Sequence, residues 1–125
     1  SYYDSTANTL KVAHCNDVAC AAPATLTVVD DPANDVGAYT SMAIGADGLA
    51  VISYHDATAG ALKVAKCTNT ACTAAPILST LDNPANQVGF GTAITIGADG
   101  LPMIAYFDVT ASALKYVKCG SRSCR

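Results

Sequence analysis

The chain is predicted to be all-β, built from repeated four-stranded antiparallel blades in a β-propeller-like array of about two and a half repeats. Two observations carry this. One phrase recurs every 52 residues without insertion, as Ser1-Tyr2-Tyr3-Asp4, Ser53-Tyr54-His55-Asp56 and Ala105-Tyr106-Phe107-Asp108, followed each time by Leu10/Leu62/Leu114 and Lys11/Lys63/Lys115. A fixed period of that length marks an array of one supersecondary unit. The second observation is composition: Glu is absent, Ala is scattered among Thr, Val, Ile, Tyr and Gly, and apolar residues never keep a helical spacing for three turns.

The elements of one unit follow in order. Ser41-Met42-Ala43-Ile44 reads as a short strand, closed by the turn Gly45-Ala46-Asp47-Gly48, whose residues tolerate positive φ; Gly97-Ala98-Asp99-Gly100 repeats it. Leu49 to Tyr54 is almost continuously apolar, the signature of an inner strand covered on both faces. Asp56-Ala57-Thr58-Ala59-Gly60 breaks it. Leu62 to Cys67 alternates, and its two lysines predict a strand with one wetter face, nearer the outside. Ile77 to Leu81 is a fourth strand, and Asp82-Asn83-Pro84-Ala85-Asn86 a loop into the next unit. Four antiparallel strands in about 50 residues, repeated, is the pattern of a propeller blade, whereas β-helix coils are shorter.

Counted this way, residues 1–51 are a first repeat whose start is missing, 52–103 a complete second, and 104–125 a truncated third. The expectation is one continuous domain or a fragment of a larger one. Joining the two ends tail to head would supply six strands where a blade holds four. Open sheet edges in a repeat also allow head-to-tail stacking into a fibre, because a heterologous contact that does not close propagates.

Composition narrows the function. Hydrophobic residues make up 51% and charged residues 14%, far from the profile of disorder. A net charge of −3 argues against nucleic acid and anionic membranes, which need clustered Lys and Arg. No apolar run approaches the roughly 18 to 20 residues of a membrane span.

The six cysteines form three C-x4-C pairs, Cys15/Cys20, Cys67/Cys72 and Cys119/Cys124, each at the same place in its unit. A four-residue loop between extended arms brings two β-carbons to the ~3.8 Å a disulfide wants. Pairing within each unit is therefore expected, and with it an oxidising, extracellular location. Such a ring is a local staple worth about 2 kcal/mol on loop entropy. Zinc is the competing reading, since two thiolates from each of two units make a tetrahedral site; nothing in the sequence brings two pairs together, and no metal or cofactor is expected.

These residues, Tyr2-Tyr3-Asp4, Leu10 to Cys15, Cys20 and Ile44 to Gly48 with their copies, resemble secreted bacterial repeat proteins of the propeller type. Their unit reads roughly Ile-x-Tyr-Tyr-Asp, Leu-Lys-Val-Ala-x-Cys, four residues, Cys, then Ile-Gly-x-Asp-Gly. The resemblance covers the whole chain and implies fold and secretion rather than a particular activity. The chain departs from better-known propeller signatures: it contains no Trp, hence no Trp-Asp dipeptide, and no Asp-box.

The candidate ligand-binding residues are the recurring trio Tyr2, Tyr3, Asp4; Tyr54, His55, Asp56; and Tyr106, Phe107, Asp108. A flat ring beside a carboxylate is a common way to hold a sugar. The middle position runs through Tyr, His and Phe, which keeps bulk and flatness but not hydrogen bonding and suits packing between blades. The Asp ends a strand and can satisfy its own turn.

No catalytic residue is expected. His14 aligns with Lys66 and Lys118, and His55 with Tyr3 and Phe107, so neither histidine belongs to a repeated nucleophile constellation. Asp30-Asp31, Asp35 and the Gly-Ala-Asp-Gly turns offer oxygen ligands for calcium but lack dense alternating acids, and turn chemistry accounts for them more simply. Two classes remain: an extracellular structural or adhesive scaffold, as part of a surface layer or filament, and a lectin-like carbohydrate-binding propeller with one shallow site per blade. The expected partners are further copies of the repeat, in cis or in trans, and glycans.

Overall fold

The computed structural model describes residues 1–85 and 87–125. Among them ten strands and no helix are found: β1 (Tyr2–Asp4), β2 (Thr9–His14), β3 (Thr25–Asp30), β4 (Val36–Ile44), β5 (Ala50–Asp56), β6 (Ala61–Lys66), β7 (Ile77–Asp82), β8 (Val88–Ile96), β9 (Pro102–Asp108) and β10 (Ala113–Lys118). They form three antiparallel sheets: sheet 1 is β1-β2-β3, sheet 2 is β4-β5-β6-β7, and sheet 3 is β8-β9-β10. Sheet 2 carries the full four-strand unit. Among the described residues no helix is long and apolar enough to cross a membrane.

The sheets stack in chain order. One core lies between sheets 1 and 2, where Leu10, Val12 and Val29 meet Val36, Ile52, Tyr54 and Ala65. A second lies between sheets 2 and 3, where Val51, Leu62 and Val64 meet Val88, Ile104 and Tyr106. β5 is buried along its whole length because alternate side chains enter these two cores, which is why its sequence is continuously apolar.

Three expectations shift. The first strand of the unit begins at Val36, five residues earlier than Ser41, because a bulge is built into it: Gly37 has φ +102°, Tyr39 has φ +53°, and the register against β5 slips twice between Val36 and Ser41. A Gly-containing stretch reads as a breaker in sequence, yet here it lets the strand bend and continue. The expected wetter face of the third strand is absent in sheet 2, since Lys66 is 4% exposed and both lysines of β6 are consumed by ion pairs. Asp82, expected in the linking loop, is the last residue of β7. Asn86, at the far end of that loop, lies outside the described residues.

The turns are as their chemistry suggests. In Gly45–Gly48 the Gly48 amide donates to the Gly45 carbonyl and the Gly45 amide to the Leu49 carbonyl, each at 2.9 Å, and Gly97–Leu101 repeats both bonds. The three cysteine pairs are disulfides, Cys15–Cys20, Cys67–Cys72 and Cys119–Cys124, with Cα atoms 4.7 to 5.0 Å apart. No free cysteine remains. Each second cysteine takes positive φ, and its amide donates to the carbonyl three residues earlier, which folds the loop tightly enough to close the ring.

Candidate functional site

The repeated polar residues converge on the junctions between sheets. At the first junction the Tyr54 hydroxyl on β5 donates to Asp30 on β3 at 2.6 Å, and Lys63 Nζ on β6 reaches the same carboxylate oxygen at 2.7 Å. Lys63 also lies 5.6 Å from the centre of the Tyr54 ring, within cation–π range. At the second junction Tyr106 and Lys115 do the same to Asp82, at 2.7 and 2.5 Å, with Lys115 again 5.6 Å from the ring. Each latch joins three strands of two sheets: an Asp closing the outer strand of one, and a Tyr and a Lys from the next.

Neighbouring charges shape these groups. Burial, aided by the carboxylate that accepts its proton, pushes the Tyr54 hydroxyl far above its ordinary range, and the same causes raise Tyr106. Burial opposes ionisation of Asp82, but the hydrogen bonds from Lys115 and Tyr106 outweigh it and hold its carboxyl below the usual value.

The trio residues divide by position. The first Tyr serves the latch at Tyr54 and Tyr106. The Asp caps its own turn: Asp4 Oδ1 accepts the Thr6 and Ala7 amides, Asp56 Oδ1 the Ala59 amide and Asp108 Oδ1 the Ala111 amide. The middle residue meets the next sheet. Tyr3 donates to Asp35 at 2.6 Å; His55, 2% exposed, donates through Nδ1 to the Val88 carbonyl at 2.8 Å and packs its ring 4.3 Å from that of Phe90. Burial lowers the basicity of His55. Phe107, on the outer face of sheet 3, is exposed.

Sheets are also stitched through the backbone. Val36 N donates to the Asn8 carbonyl and Val88 N to the Gly60 carbonyl, whereas the Ala57–Asp35 and Val109–Gln87 bonds extend the β4–β5 and β8–β9 ladders within sheets 2 and 3. Hydroxyls add Ser1 to Thr40 and Ser53 to Thr92, both 2.8 Å.

Sequence reasoning missed Asp30 and Asp82 as latch acceptors, although the signal was present, since both recur at the period of Tyr54/Tyr106 and Lys63/Lys115. The lysines do not pair chiefly with the trio Asp. Lys115 stands 3.9 Å from Asp108 but closer to Asp82, and only Lys11, in sheet 1, pairs with its own Asp4, at 2.6 Å. Among the described residues no three His, Cys, Asp or Glu side chains come together as a metal site.

The open feature is on the far side of sheet 3, a shallow apolar groove of about 270 Å³ floored by Ala93, Met103 and Ala105 and walled by Tyr116. Among the residues lining it, the phenol of Tyr116 is the one ionisable group. No protein-family model matches the chain, and neither a curated protein nor a solved structure matches it.

Proposed function

We propose that the protein is a non-catalytic extracellular β-repeat scaffold, structural or adhesive, whose sheets are blades of a propeller-type array. The observation that carries this reading is where the repeated polar residues go: Tyr, Lys and Asp are spent on holding one sheet to the next. A site evolved for a ligand keeps polar atoms turned toward solvent in a cleft; here Tyr54, His55 and Asp56 are all buried. The three disulfides support a location outside the reducing cytosol. The stacking of three sheets around cores contributed by both neighbours supports the propeller-type arrangement.

The lectin-like alternative places one shallow site per unit at the trio, and the burial of Tyr54, His55 and Asp56 weighs against it at the central unit. Screening the folded chain against immobilised glycans tests the choice. The scaffold reading expects no retention; saturable binding abolished by Phe107→Ala would favour the lectin.

A further inference from the structure

We infer that the exposed face of sheet 3 is a docking surface for sheet 1 of a second copy of this chain, so that copies stack head to tail. The proposal rests on the scaffold reading and names its partner and contact residues.

The internal period identifies the face. Leu114 and Tyr116 are 80% and 74% exposed, yet their equivalents one unit back, Leu62 and Val64, are fully buried against sheet 3. Their equivalents two units back, Leu10 and Val12, are buried against Ile52, Tyr54 and Ala65 of sheet 2. The positions corresponding to Tyr54 and Ala65 in sheet 1 are Tyr2 and Ala13, and they lie on its outer face beside exposed Leu26 and Val28. Leu114 and Tyr116 of one copy can therefore meet Tyr2 and Ala13 of another as Leu10 and Val12 meet Tyr54 and Ala65. The contact continues the polarity of the two junctions already present in the chain.

Three substitutions between units fit this partner. Within the chain, Ser53 pairs with Thr92 and the Ser41 hydroxyl accepts the Ile94 amide, both supplied by the first strand of the next sheet. Sheet 3 carries Ala105 and Ala93 at these positions, so its exposed face buries no hydroxyl there that would need such a partner. Tyr116 replaces the smaller Val64 and enlarges the apolar area this face presents. Lys11 is neutralised by Asp4 and needs no acid from its neighbour, unlike Lys63 and Lys115.

The test is sedimentation velocity of the full chain across a hundredfold concentration range, alone and with Leu114→Lys or Leu26→Lys. Both side chains are exposed in the single copy, so each variant should keep the wild-type circular dichroism and melting temperature, which is checked first. The wild type is expected to associate, as a closed ring or an open fibre, and each variant to raise the midpoint at least tenfold. Mixing the two variants should restore a one-to-one dimer, because each keeps the face the other lost. A wild type that stays monomeric overturns the proposal, as does a Leu26→Lys protein that associates as well as wild type, which would mean sheet 3 pairs with itself. A monomer that ignores glycans sinks this inference alone; a glycan-binding chain sinks the scaffold reading.

Discussion

At the scale of single residues, the decisive group is the aspartate that closes an outer strand. Asp30 is 5% exposed at its side chain and accepts from both Tyr54 and Lys63. A buried carboxylate is tolerable only with such partners, and removing it strands the lysine. Asp30→Ala is therefore expected to destabilise the fold by about 3–5 kcal/mol, and Tyr54→Phe, which removes one hydrogen bond to a charged group, by about 1–3 kcal/mol. Urea unfolding measures both; a loss under about 0.5 kcal/mol for Asp30→Ala would show that the latch holds nothing. The candidate residues were legible as a repeated trio, but their partners were not. Asp30 is distant in sequence from Tyr54 and Lys63, and only the docking of two sheets brings the three together.

At the scale of the element, the first strands of sheets 2 and 3 are shaped by how closely each approaches the sheet before it. A Cβ on Gly37 would stand 2.7 Å from the Leu10 Cα, and one on Gly89 3.0 Å from the Leu62 Cα, both at φ values that L side chains rarely adopt. These contacts are with backbone and cannot be relieved by a rotamer change. They accompany the Val36–Asn8 and Val88–Gly60 hydrogen bonds between sheets. Gly37→Ala is expected to cost about 2 kcal/mol or more, combining φ strain with the clash, whereas Gly120→Ala, with open space around it, should change stability by less than about 0.5 kcal/mol. Thermal melts of the two variants decide it, and equal melting temperatures would contradict the close approach. The strands themselves were readable from alternation and turn residues. The five-residue extension of β4 was not, because a bulge is stabilised by what it packs against.

At the scale of the whole molecule, stability should carry a pH signature from the junction between sheets 2 and 3. His55 is held neutral by burial, with a folded pKa below its ordinary value of 6.5. The unfolded chain therefore binds the proton more readily, so this contribution is full above about pH 6.5 and is lost as pH falls below it toward the folded pKa. Asp82 and Asp47, whose folded values are depressed below 3.8, act in a separate, more acidic window and lose their contribution as pH falls through it. His55→Phe, which installs the residue found at Phe107, should flatten the slope just below about pH 6.5 while leaving the acid limb in place. Unfolding curves at several pH values test this, and an unchanged slope would move the signature elsewhere. The sequence by itself determined the period, the all-β class, the hairpin turns and the cysteine pairing, because each depends on residues close along the chain or on strict recurrence. Tertiary structure alone decided that the recurrent Tyr, Lys and Asp serve neighbouring sheets, that the lysines of β6 are both held in ion pairs, and that the equivalent of a buried face lies open on sheet 3. Those facts depend on which surfaces meet, and burial free energy is a property of pairs of surfaces, which no single stretch of residues contains.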